Sequence, residues 1–109
     1  MAFNEELANQ IRQRLIALDG YNEKKMFGGI CFLLNGNMAC GIVHDSLIVR
    51  VGPLRYNEAL QKPDCGVFDL TGRPMTGWVQ VQQPGWQQVS SLDDWLAMGV
   101  AYACTLPPK

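Results

Sequence analysis

Asn35-Gly36, set between two apolar runs, constrains this chain more than any other feature. An Asn-Gly pair readily adopts the two positive-φ positions of a two-residue turn, so the runs on either side must pair antiparallel. Residues 26–34, 38–43 and 47–51 then read as three consecutive strands, with His44-Asp45 closing the second hairpin. In this register position 34 faces 37 and position 43 faces 46. Because side chains alternate along a strand, the rest follows by counting. One face collects Cys31, Leu33, Met38, Cys40, Ile42, Leu47, Val49 and Val51, and reads as the core. The other collects Ile30, Phe32, Leu34, Ala39, Gly41, Ile48 and Arg50, and is mixed.

Helices are expected on both sides of this unit. Phe3, Leu7, Ile11, Leu15 and Leu18 recur at helical spacing, which predicts a helix over 4–19 with Asn4 as its cap and Gly20 as its stop. Gly52-Pro53 starts a short helix that ends at Pro63. Residues 67–70 and 75–82 form a fourth and a fifth strand, the fifth with Val79 and Val81 on one face and Trp78, Gln80 and Gln82 on the other. After a loop at 83–89, Ser90 or Ser91 caps a final helix carrying Leu92, Trp95, Leu96, Gly99, Tyr102 and Leu106 on its apolar stripe. The fold expected is α+β, as one domain over residues 1–109. It is a five-stranded antiparallel sheet, with the two long helices on one face and the short helix after the third strand.

The composition narrows the function classes. Apolar residues make up 48% and charged residues 17%, which excludes a disordered chain. Nine basic residues stand against ten acidic ones, spread evenly along the chain, so the concentrated positive charge of a phosphate-contacting protein is missing and nucleic acid is disfavoured. No run approaches the roughly 20 apolar residues of a membrane helix, and the acidic N-terminus does not resemble a signal peptide. No pair of the four cysteines has Cys-x-x-Cys spacing, and His44 is the only histidine, so neither a metal site nor a cofactor is expected. Reduced thiols in a cytoplasm are the expectation.

No catalytic residue emerges. Gly28-Gly29 lacks the Lys-Ser/Thr that completes a phosphate loop, and a bulge or a close backbone approach explains it better. His44-Asp45-Ser46 holds the residue types of a hydrolase triad, but neighbours on one tight turn cannot line up as nucleophile, base and orienter, so it reads as a solvated turn. Asp93-Asp94 reads as helix-start electrostatics. Cys31 and Cys40 fall directly opposite each other in the counted register, and read as an inert buried pair, with a redox thiol pair as the alternative. Lys25, Arg50, Arg55 and Arg73 form an anion or ligand surface if the fold gathers them.

Four segments together are specific. They are Lys24-Lys25-Met26-Phe27-Gly28-Gly29, Asn35-Gly36-Asn37-Met38, Arg50-Val51-Gly52-Pro53, and Phe68-Asp69-Leu70-Thr71-Gly72-Arg73-Pro74-Met75. From about Lys24 to its end the chain resembles the TfoX/Sxy N-terminal domain family, and Leu106-Pro107-Pro108-Lys109 resembles the close of stand-alone bacterial members. The resemblance implies a compact α+β fold and a cytoplasmic bacterial protein related to regulators of competence genes, and it supplies no catalytic residues.

The leading expectation is therefore a non-enzymatic protein-interaction or regulatory module that self-associates. The alternative is a small-ligand binder or enzyme with an arginine-lined cleft built from Arg50, Arg55 and Arg73. On the first reading Ile30, Phe32, Ile48 and Trp78 form an apolar patch too large for a small monomer to leave in water. A second copy making a homodimer is the expected cover, and the 83–89 loop or the short helix is its rival.

Overall fold

In a computed structural model of the protein, residues 3–26, 28–69 and 74–108 are described. The elements run α1 (Glu5–Leu15), β1 (Tyr21–Met26), β2 (Gly29–Leu34), β3 (Asn37–Val43), β4 (Ser46–Arg50), α2 (Tyr56–Leu60), β5 (Cys65–Val67), β6 (Trp78–Val81), α3 (Gln83–Trp86) and α4 (Val89–Ala103). The described strands make one antiparallel sheet in the order β1-β2-β3-β4-β6-β5.

Among the described residues the sheet has six strands, not the expected five. The addition is β1, whose sequence Tyr-Asn-Glu-Lys-Lys-Met has no apolar alternation to announce a strand. It lies at the sheet edge, where exposed lysines such as Lys24 and Lys25 discourage further pairing. Helix α1 is shorter than expected. Asn4 does cap it, its side-chain oxygen accepting from the Leu7 N–H at 3.0 Å. The helix closes at Leu15, however, and Leu18 is left exposed in the turn before Gly20. Neither serine caps α4, which starts at Val89 after Gln88 without a side-chain cap. Residues 83–86, expected in a loop, form the one-turn helix α3.

Both two-residue turns form. Leu34 pairs with Asn37, and Val43 with Ser46. Between β2 and β3, however, the pairing steps from Leu33↔Met38 to Phe32↔Cys40, so Ala39 is the extra residue of a β-bulge. Beyond it Cys31 faces Gly41 and Ile30 faces Ile42. This corrects the counted faces by one residue along β2. Ile30 and Phe32 join Cys40, Ile42, Leu47, Val49, Val79 and Val81 in the core, together with Leu7, Ile11 and Leu15 of α1 and Leu92, Trp95 and Leu96 of α4. The bulge lies beneath α4. A Cβ built on Gly99 would stand 2.4 Å from the Ala39 carbonyl oxygen, so the helix meets the sheet here through a residue without a side chain.

The second hairpin turn is anchored rather than merely solvated. The Asn4 N–H donates to the His44 carbonyl at 2.8 Å, the Asn4 side-chain amide to Asp45 at 3.1 Å, and the Trp86 indole N–H to the Asp45 carbonyl at 3.0 Å. Ser46 is buried and accepts from the Gln80 side chain at 3.0 Å. The turn thus ties α1, α3 and the sheet together.

Candidate functional site

Bulge and alternation together decide what the sheet presents on the side away from the core. Cys31 comes from β2, Met38 and Gly41 from β3, Ile48 and Arg50 from β4, and Trp78 and Gln80 from β6. Gly41 contributes no side chain, and the Met38 methyl group lies over it: a Cβ there would stand 2.7 Å from Met38 Cε. Phe68 and Met75 come in from the stretch between β5 and β6, held by the Met75 N–H donating to the Phe68 carbonyl at 3.0 Å. The Phe68 and Trp78 rings lie 6.4 Å apart at 40°. What remains above the floor is a partly open cavity of about 100 Å3, bounded by Cys31, Met38, Gly41, Ile48, Phe68, Met75 and Trp78 among others. Every side chain on that wall is apolar apart from the Cys31 thiol, whose burial raises its pKa.

Beside the cavity stands a cation. Arg50 is paired in register with Trp78, and its guanidinium carbon lies 5.1 Å from the centre of the Trp78 ring and 5.3 Å from that of Tyr102. Such contacts hold a cation by the negative faces of the rings, at about 0.5–1 kcal/mol each where exposed. Gly52 makes room for the arrangement. It sits at φ +86°, and a Cβ there would come within 2.4 Å of the Tyr102 ring. The Arg-Val-Gly-Pro segment is thereby explained residue by residue: Arg50 stacks, Val51 is core, Gly52 seats Tyr102, and Pro53 opens the turn that leads to α2.

The residues singled out from the sequence are distributed differently from expectation. Of the expected dimer patch, Ile30 and Phe32 are turned into the core by the bulge, and Ile48 is buried beneath the cavity. Only Trp78 is partly exposed on the outer face. The expected anion surface is not gathered among the described residues. Lys25 lies opposite Ile30 on the core side of the edge strand, three strand spacings or about 14 Å from β4. Arg55 is exposed and pairs with Glu58 at 3.4 Å. Arg73 lies outside the described residues. Cys31 and Cys40 are on opposite faces, and Cys40, fully enclosed, has its pKa pushed well above the usual thiol range.

Sequence reading missed Met38, Phe68 and Met75 as partners in one site. The available signal was Gly41, since glycine inside an apolar strand often marks a place where something else approaches. Among the described residues no three His, Cys, Asp or Glu side chains gather as a metal group, and no described helix is long and apolar enough to cross a membrane.

Comparison with known proteins adds one finding. The family model of the TfoX N-terminal domain matches residues 13–103. No curated protein and no solved structure matches the chain.

Proposed function

The chain belongs to the TfoX N-terminal domain family, and from that premise we propose that it is a non-enzymatic interaction module of the competence-regulator type. Its working surface is the outer sheet face around Trp78, and what it receives there is an apolar side chain of a protein partner, a second copy of this chain included. One observation carries the reading. Three of the four segments that mark the family resemblance supply Met38, Arg50, Phe68 and Met75 to this one face. An aromatic residue and an arginine beside an apolar cavity are the composition found at the centres of protein interfaces. Four unbridged thiols suit a reducing compartment such as the cytoplasm.

The test is affinity capture from the source organism with three folded proteins: wild type, Trp78→Glu, and Leu54→Glu. Leu54 is 99% exposed, beside a separate apolar groove at the end of α4. Partners retained by Leu54→Glu and lost by Trp78→Glu support the reading. The reverse pattern would transfer the surface to the Leu54 groove.

A further inference from the structure

We infer that the cavity binds the alkyl chain of a straight-chain carboxylate, with Arg50 pairing the carboxylate. This goes beyond the protein-interaction reading, although it uses the same face. The cavity, at about 100 Å3, is of the same order as the roughly 150 Å3 apolar cavities that stay dry and admit benzene. Water gains little in it, because the side chains around it offer almost no hydrogen-bond partners.

The charged end of the ligand is argued from Arg50. Trp78 forms part of the cavity wall, and the Arg50 guanidinium carbon lies 5.1 Å from the centre of that same ring, so cavity and cation border one indole. The two aromatic rings occupy the guanidinium by cation–π contact, which leaves its N–H edge, the part that forks onto a carboxylate, for another partner. No carboxylate pairs with Arg50 among the described residues. An aliphatic acid long enough to cross Trp78 satisfies both ends together. An alcohol satisfies one, and an alkylammonium places like charge on Arg50.

The experiment is a titration of the isolated chain, with no protein partner present, following the methyl resonances of Met38, Ile48 and Met75. Octanoate below its micelle concentration should shift them saturably. Each buried methylene is worth about fourfold in affinity, so butanoate, too short to reach past the indole, should bind at least tenfold more weakly. Arg50→Gln should remove the preference for octanoate over octylammonium, and Val43→Phe, which fills the cavity from β3, should weaken octanoate at least tenfold. If Val43→Phe does not fold, Cys31→Leu fills the same space from β2. Wild-type methyls that do not move with millimolar octanoate, or that move equally with butanoate, would overturn the inference. So would an Arg50→Gln protein with its preference intact. Such a failure would leave the partner-capture result untouched, because the isolated chain reads the small ligand alone.

Discussion

Phe32 lies opposite Cys40 rather than opposite Ala39, and this one-residue offset decides which side chains of β2 meet the helices and which meet the outside. Without the bulge, Phe32 would lie on the outer face and Cys31 in the core. With it, Phe32 is fully buried in the core, and Cys31 becomes part of the cavity wall.

The thiols should differ in reactivity in an order set by burial. Cys104 is exposed and should react first with a disulfide reagent. Cys65 is half-buried, with its pKa pushed up to about 11 by desolvation, and should follow slowly. Cys31, in the wall of the partly open cavity with its pKa raised by burial, should react slowly and Cys40 only as the protein opens, and mass spectrometry after mild oxidation should find no 31–40 disulfide in the folded protein. Rapid formation of that bridge would contradict the bulged register.

Arg12 joins α1 to β1 through Glu23, with Nε to Oε2 at 2.5 Å and Nη2 to Oε1 at 2.8 Å, and the Tyr21 hydroxyl also donates to Glu23. The hydrogen bond from Arg12 lowers the Glu23 pKa, against its burial, and Tyr21 adds to the effect. A depressed folded pKa stabilises the fold above the unfolded value of about 4.3, and that contribution is lost as pH falls through the folded value. Glu23→Gln should therefore cost about 1 kcal/mol at pH 7, a modest figure because the pair is partly exposed. Thermal melts across the acid range should show the gap to wild type closing below about pH 4. A gap that stays constant with pH would contradict the assignment.

Two glycine substitutions should have different effects. Gly66→Ala meets nothing within 4 Å and should change stability by less than about 0.5 kcal/mol. Gly99→Ala should gain about 1 kcal/mol from helix propensity alone. Its Cβ would instead strike the Ala39 carbonyl, so we expect a net loss of about 1–3 kcal/mol in urea unfolding. Stabilisation by Gly99→Ala would mean that α4 does not press on the bulge.

Gly52→Ala would force a side chain into positive φ, at about 1–2 kcal/mol, and drive it into the Tyr102 ring. Beyond the loss of stability, near-ultraviolet circular dichroism should change, because the Arg50–Trp78–Tyr102 stack would come apart. An unchanged aromatic signal would show that Tyr102 does not depend on Gly52 for its place.

Much of this architecture is legible in the sequence. Asn35-Gly36 carries a turn chemistry that few other structures satisfy, and the pairing of residue 34 with 37 follows from it, as the pairing of 43 with 46 follows from a two-residue turn at His44-Asp45. Leu7, Ile11 and Leu15 had a strict helical period. β1 escaped because its core-side positions, Tyr21, Glu23 and Lys25, include only one large apolar residue, so no apolar alternation marks it as a strand. The bulge escaped for a different reason. The bulged Ala39 lies against α4 at Gly99, a contact sixty residues away in sequence that no local pattern records. The site was lost with it, since one register step exchanges the two faces of β2. The Arg50-to-Pro53 segment stands out in the sequence, but its role depends on Tyr102 and Trp78, brought in by distant parts of the chain.

The central claim is that the outer sheet face around Trp78 is the surface this protein works with. Oxidative footprinting of the wild-type protein, free and bound to a partner it captures, measures that directly, because methionine and tryptophan are reporters and Met38, Met75 and Trp78 all belong to the face. The account predicts that these three residues lose reactivity together in the complex, while Met98, beside the separate groove that Leu54 borders, keeps its own. Protection of Met98 with Met38, Met75 and Trp78 unchanged would contradict it.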